Sequence, residues 1–308
     1  MAGTVIYVYV VAHLVKKDSS IGHKASWVIW VFKDGKPGHE AQIDGLVNAL
    51  TKWVSLEVHT FSVERALTDN IINNLSRYKW SEFPHPDLII GAGHSTHLWM
   101  LFARFKVGGK IVVLMKPSLP LFLFDLALIP KHDEPRDSKR VIATRGVLNK
   151  IQQSASSLSD RGLILIGGVS KHYYWDSKAV FEQVNQLVLN NPNIKWELTT
   201  SRRTPQDSLN VLNAITSDNL IVTPFEETDL NWVAQRLSIA SRVWVTEDSI
   251  SMVYEALSAG AEVGLISLEA LNQSDRIVRG IQSLRDEGLM ISNMQLSPTA
   301  QKLQEPFD

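Results

Sequence analysis

The sequence predicts an α/β protein built from two Rossmann-like domains with parallel sheets. Three observations predict it. Short, apolar, β-branched runs alternate with amphipathic stretches, the signature of a parallel sheet covered by helices. Glycine-rich turns stand where strands give way to helices. A polar interval near residues 150–160 interrupts the alternation, which then starts again.

Trp27–Phe32 (WVIWVF) reads as a buried strand, Glu40–Trp53 as the helix after it, and Leu56–Phe61 as a second strand. Asp87–Ala92 (DLIIGA) is a third, followed by a helix over Thr96–Arg104; Lys110–Leu114 and Asp125–Ile129 are further strands. The long apolar run Leu119–Ile129 is read as a buried strand with its approach loop, because such runs in α/β proteins are usually core; the alternative is a surface that touches membrane. Lys131–Arg140 is almost wholly polar, with Pro135 inside it. Val141–Ile151 is one short unit, and Ser154–Arg161 is serine-rich and poor in apolar residues. Linkers have this composition, so the expected domains are 1–155 and 156–308.

The second half repeats the pattern more clearly. Leu163–Ile166 is a strand, and Val180, Phe181, Val184, Leu187 and Val188 then fall on one helical face. Lys195–Thr200, Leu220–Thr223, Arg242–Thr246 and Glu262–Ile266 are strands. Gln206–Ile215, Leu230–Ala240 and Ser249–Ala259 are the helices between them. Five β-α steps in succession give a doubly wound domain. Both ends of the chain are weaker. Thr4–Val15 is apolar but well short of the ~20 residues that cross a bilayer; it reads as an extra strand or an extension, with a weak membrane anchor as the alternative, and residues 1–26 are left of uncertain order. Leu296–Asp308 carries no strong pattern.

Composition narrows the function. The chain has 308 residues, 44% of them hydrophobic, enough for two packed cores. Its net charge of −1 lacks the basic excess that nucleic-acid binding calls for. With no cysteine, disulfides and thiolate metal sites are excluded, and a reducing cytoplasm is the simple reading.

In doubly wound sheets, ligands sit outside the carboxyl ends of the strands. After the first strand comes Lys33-Asp34-Gly35-Lys36-Pro37-Gly38-His39-Glu40. Gly35 and Gly38 permit a tight turn, and His39 at the helix start reads either as a general base or as a local cap. After the third strand, Gly91-Ala92-Gly93-His94-Ser95-Thr96-His97 is another glycine turn, with Ser95 or Thr96 as its N-cap. His94 and His97 are too few for a metal site. His132-Asp133-Glu134 reads as solvated linker.

The second half opens its ligand edge with Gly167-Gly168-Val169-Ser170-Lys171, whose amides and lysine suit a diphosphate. It is neither a Walker loop nor the dinucleotide fingerprint. Ser201, Arg202 and Arg203 follow another strand; adjacent arginines there favour phosphate contact over a plain surface turn. In Val245–Gly260, Ser249 or Ser251 caps a helix. Glu255 either takes ribose hydroxyls or is an exposed acid. Glu247 and Asp248 either face the ligand or merely suit the helix dipole. Met252, Val253, Ala256 and Leu257 form the core face, with Met252 and Glu247 also placed among the nucleotide-facing residues.

These pieces together resemble the mitochondrial fission protein family, named for a plant member with elongated mitochondria and widespread in bacteria. The matching segments are Asp34–Gln42 (DGKPGHEAQ), Gly91–His97 (GAGHSTH), Ile166–Asp176 (IGGVSKHYYWD), Ser201–Pro205 (SRRTP) and Val245–Gly260, in order. The sequence departs from the family before Trp27, at Ala41 and at Val169. The family is similar in turn to GT-B glycosyltransferases, in which two Rossmann-like domains face each other across a cleft. The resemblance implies a metal-independent transfer of sugar from a nucleotide-sugar donor to a glycan or lipid-linked acceptor, with no cofactor. Membrane contact would be peripheral at most. His39 would be the base with Asp34 or Glu40 orienting it, and Gly93, His94, Gly167, Gly168, Ser170, Lys171, Ser249, Ser251 and Glu255 would line the donor site. Alternatives are a GT-B-shaped nucleotide-sugar epimerase and a non-enzymatic adaptor.

Overall fold

A computed structural model describes residues 26–63, 79–151, 158–212, 215, 217–229 and 231–291. Thr4–Val15 and Leu296–Asp308 lie outside the described residues. The chain parts between Lys150 and Ile151 into two compact units.

The first unit is a six-stranded parallel sheet. Its strands are β1 (Ser26–Lys33), β2 (Ser55–Ser62), β3 (Leu88–Ala92), β4 (Lys110–Leu114), β5 (Leu126–Pro130) and β6 (Val141–Thr144), in the order β2-β1-β3-β4-β5-β6. Alternation along β1 divides the core. Trp27, Ile29 and Val31 pack with α1 (Pro37–Thr51) through Ile43, Leu46 and Leu50. Trp30 and Phe32 face the other way, toward α2 (His94–Val107), through Trp99, Met100 and Ala103. Both faces are covered, which is why these strands read as continuous apolar runs.

Two helix starts differ from expectation. Helix α1 begins at Pro37, because proline at the first helical position has no N–H to satisfy and a preset φ. Helix α2 begins at His94 with Gly93 as its N-cap at φ 83. Neither Ser95 nor Thr96 therefore caps it; Thr96 Oγ1 instead donates to the Gly93 carbonyl at 2.8 Å.

In the second unit β7 (Leu158–Leu165), β9 (Lys195–Thr199), β10 (Leu220–Thr223), β11 (Ala240–Thr246), β12 (Glu262–Ile266) and β14 (Met290–Ile291) run in the order β10-β9-β7-β11-β12-β14. This is the order 3-2-1-4-5-6 of the dinucleotide-binding fold. The crossovers pass through α3 (Ser177–Asn190), α4 (Gln206–Leu212), α5 (Trp232–Leu237), α6 (Ile250–Ser258) and α7 (Arg276–Asp286). A short ribbon pairs β8 (Tyr173–Tyr174) with β13 (Glu269–Ala270). The predicted face of α3 is buried against Trp196, Leu198 and Trp244.

Strand β7 starts at Leu158, inside the stretch read as linker, because its first residues pair with the beginning of β11 across a bulge. Helix α5 is shorter than expected, since Ala240 already belongs to β11. Two tryptophans occupy gaps left by glycines on adjoining strands. Trp196 lies opposite Gly162, and Trp244 opposite Gly264. A Cβ on either glycine would stand 2.3 or 2.2 Å from the facing indole. Among the described residues, no helix is long and apolar enough to cross a membrane.

Candidate functional site

In the first sheet the strand order reverses between β1 and β3, and the turns after both strands meet there. Asp34 follows β1; its side chain is 1% exposed and lies 2.9 Å from His39 Nδ1. Ser95, in the first turn of α2, donates its hydroxyl to Asp34 Oδ2 at 2.9 Å. The Lys36 amide reaches Oδ1 at 3.3 Å. Burial works against ionisation of Asp34, but the Ser95 hydroxyl, the His39 ring and the Lys36 amide outweigh it and hold its pKa below the ordinary value. An ionised carboxylate only accepts hydrogen bonds, so His39 Nδ1 carries a hydrogen, and in the neutral ring Nε2 is then the acceptor. Among the described residues Nε2 has no partner.

Gly93 makes this arrangement possible. Its φ is 83°, and a Cβ there would stand 2.4 Å from the His39 ring. Gly35 supplies the turn at φ 74, whereas a Cβ on Gly38 would meet open space. Glu40 does not orient His39; it approaches Lys33 at 3.9 Å. His94 is exposed at the helix start. His97 points inward, 3.3 Å from Ser118 Oγ and with its ring 5.3 Å from Phe124. Burial, with the neighbouring His94, pushes its pKa down to about 4. Among the described residues no group of three or more metal-ligating side chains occurs.

In the second sheet the order reverses between β7 and β11. The turn after β7 is already bonded within the protein. Gly167 N donates to Thr246 Oγ1 at 2.7 Å, Gly168 N to Asp248 Oδ2 at 3.1 Å, and Val169 N to the Arg203 carbonyl at 3.0 Å. Both glycine amides expected to cradle a diphosphate are thus engaged within the protein in this structure. These glycines are there for close packing: a Cβ on Gly168 would stand 2.0 Å from the Arg203 carbonyl oxygen, and one on Gly167 2.3 Å from Asp248 Oδ1. Ser170 Oγ accepts the His172 and Tyr173 amides as a turn residue, and Lys171 is exposed.

The two arginines part company. Arg203 pairs with Asp248 at 2.7 Å, while Arg202 lies over the Phe225 ring at 5.2 Å. Ser201 Oγ donates to the Gly167 carbonyl at 2.7 Å, binding this loop to the glycine turn. Glu247 is 3% exposed. Its carboxylate accepts the Leu268 amide at 2.9 Å and pairs with Arg285. Burial raises its pKa, and those two partners offset the rise only in part. Glu247 is thus buried and bonded within the framework of the second unit.

Helix α6 follows. Ser249 is its N-cap by position, without a side-chain capping bond. Val253, Ala256 and Leu257 are buried as expected, but Met252 is only half-buried. With Ser251 and Glu255, spaced at i, i+1 and i+4, it forms the flank of α6 turned from the core. Sequence reasoning missed Ser95 and Asp248 as parts of these clusters; a glutamate-aspartate pair before a helix looks like dipole compensation until the strand order is known.

The family profile described as "Mitochondrial fission ELM1" matches residues 37–306. A relative from Rickettsia prowazekii (strain Madrid E), uncharacterized protein RP120, is 25% identical over 295 residues, covering 75% of this chain and 81% of its own. Among solved structures, a Listeria monocytogenes protein assigned as a UDP-N-acetylglucosamine 2-epimerase aligns with TM-score 0.58 at 16% identity, over 86% of this chain and 83% of that one. The UDP-GlcNAc 2-epimerase from Neisseria meningitidis, bound to UDP-GlcNAc, aligns with TM-score 0.51 at 12% identity, over 84% and 91%. At these identities the likeness concerns the fold, which is GT-B-like.

Proposed function

For a chain that belongs to the mitochondrial fission ELM1 family, we propose a metal-independent glycosyl transfer from a nucleotide-sugar donor to the hydroxyl of a glycan or lipid-linked acceptor. The observation that carries this reading is the His39–Asp34 contact at 2.9 Å. It fixes the histidine tautomer and leaves Nε2 ready to take a proton from an acceptor hydroxyl. The acceptor oxygen then bonds to the anomeric carbon, the bond from that carbon to the diphosphate breaks, and the nucleoside diphosphate leaves.

The second unit holds the donor in this reading. The first turn of α6 directs its amides at the leaving diphosphate, with Lys171, Arg202 and Arg203 adding positive charge. Glu255, on the flank with Ser251 and Met252, takes the ribose hydroxyls. The Neisseria protein of like fold is bound to UDP-GlcNAc, which supports this donor class.

The test is a thermal-shift screen with UDP, GDP, CMP and ADP sugars, since a ligand that binds only the native state raises Tm. It is followed by turnover and binding for Glu255→Gln. Donor binding that Glu255→Gln weakens, with sugar transfer to an acceptor, is the expected result. Free nucleotide plus an epimerised sugar without acceptor would move the assignment to an epimerase. No shift with any donor would favour an adaptor.

A further inference from the structure

Three large apolar side chains stand in solvent on one side of the first unit: Leu98 at 49% exposure, Phe105 at 81% and Phe122 at 69%. Leu98 and Phe105 lie seven residues apart on α2 and so share a face. The segment Ser118–Asp125 runs along the adjoining flank of that helix. Ser118 meets His97 at 3.3 Å, the Phe124 ring lies 5.3 Å from the His97 ring, and Asp125 reaches Arg104 at 3.3 Å. Phe122 therefore emerges beside the Leu98–Phe105 strip. Within the run read as strand and approach loop, Phe124 and β5 are buried, and Leu119, Leu121 and Leu123 pack against the core, whereas Pro120 and Phe122 face outward.

Scattered exposed apolar residues need no explanation, but a contiguous set marks an interaction surface. The charges around this one say what covers it. Residues 94–124 contain Arg104, Lys106, Lys110 and Lys116 and no Asp or Glu, in a chain whose net charge is −1. Lys106 Nζ lies 5.4 Å from the Phe102 ring centre and 5.9 Å from that of Phe105, so its stem runs along the aromatic face while its head stays in water. Arg140 donates to the carbonyls of Phe122 and Phe124, adding a further cation at the same edge. Asp125, the first acid after this stretch, is already paired with Arg104.

A second copy of this chain docked here would set cations against cations, which disfavours a symmetric interface. Aromatic and aliphatic tips with Lys106 beside Phe105 and Arg140 beside Phe122 match a negatively charged interface with an apolar interior. We propose that this face of α2, with Phe122, docks on the surface of an anionic lipid bilayer. The inference does not depend on the nucleotide-sugar reading.

Co-sedimentation of the full chain with phosphatidylcholine vesicles, with and without phosphatidylglycerol, tests it. Wild type should partition onto the anionic vesicles, not the neutral ones, and raised salt should weaken the binding. The double variant Phe105→Ser/Phe122→Ser should bind at least tenfold more weakly, as burial of two phenyl groups is lost. Lys106→Glu should cost about tenfold through charge alone. Both variants alter exposed side chains, so an unchanged urea midpoint will show that the fold is kept. The proposal is overturned if wild type ignores anionic vesicles. It is equally overturned if the double variant binds as wild type does, which would place the contact elsewhere, for instance on Thr4–Val15. A lipid-indifferent dimer that the double variant converts to monomer would assign the face to a second copy instead.

Discussion

The Arg203 guanidinium meets the Asp248 carboxylate at 2.7 Å, and the Asp248 side chain is wholly enclosed. The same carboxylate accepts the Gly168 amide, so one acid holds both the arginine loop and the glycine turn. Arg203→Ala would leave that buried charge without its partner. Breaking a buried pair costs about 3–5 kcal/mol. Because Arg203 is 41% exposed, water replaces part of it, and about 1–3 kcal/mol is expected. Urea denaturation measures this; a midpoint equal to wild type would show that the pair contributes nothing.

Glycines in the two turns should respond oppositely to a methyl group. At Gly168 the added carbon would stand 2.0 Å from a backbone oxygen, which cannot rotate away. Gly168→Ala should then lose about 1–3 kcal/mol or more, the range for overpacking. At Gly38 a Cβ meets open space in the first turn of α1. Gly38→Ala should gain about 0.4–1 kcal/mol by restricting the unfolded chain. Thermal melts of the two variants, side by side, decide the matter; equal losses would contradict this geometry.

Asp34→Asn tests the tautomer argument. An amide no longer obliges His39 Nδ1 to carry the hydrogen, so proton acceptance at Nε2 weakens. Turnover with any donor that the thermal-shift screen identifies should fall by about 10²–10⁴, the share of general-base catalysis, with nucleotide affinity unchanged. Glu40→Gln should leave both intact, because Glu40 faces Lys33. Equal activity losses in the two variants would remove Asp34 from its special place.

His97 should make the first unit acid-sensitive. Its pKa is lowered from 6.5 to about 4 in the folded state, chiefly by burial. The unfolded chain then binds a proton that the folded chain refuses, so the contribution is complete above pH 6.5 and is lost as pH falls toward 4. The span corresponds to roughly 3 kcal/mol. Stability of His97→Gln, followed by urea titration across that window, should vary with pH less steeply than wild type. Parallel curves would show that another group titrates there.

Much of this was legible because strands buried on both faces leave continuous apolar runs, and because the face of α3 repeats at helical spacing. The turn Asp34–His39 was readable for the same reason: a strand, two glycines and a helix follow one another within a few residues. The Ser95–Asp34 bond was not, since 61 residues separate its ends and only the adjacency of β1 and β3 joins them. Glu247 and Arg285, 38 residues apart, are a similar case. The start of β7 escapes a sequence reading because Ser159, Asp160 and Arg161 are polar and Leu158 stays exposed, so the strand begins without an apolar buried run. Met252 was assigned to the core on spacing alone; its position at the rim of the helix start leaves it half-covered.

The pairing of Trp196 with Gly162 and of Trp244 with Gly264 has a consequence for how the second sheet assembles. A slip of two residues keeps every side chain on its own face, so face hydrophobicity alone does not forbid it. Here such a slip would set Trp196 opposite Ile164 or Asp160, where no gap admits an indole. The two gaps act as keyways, each admitting its tryptophan at a single alignment, and they lie on either side of the β7–β11 junction. The crevice formed there owes its strand alignment to two missing methyl groups in the middle of the sheet.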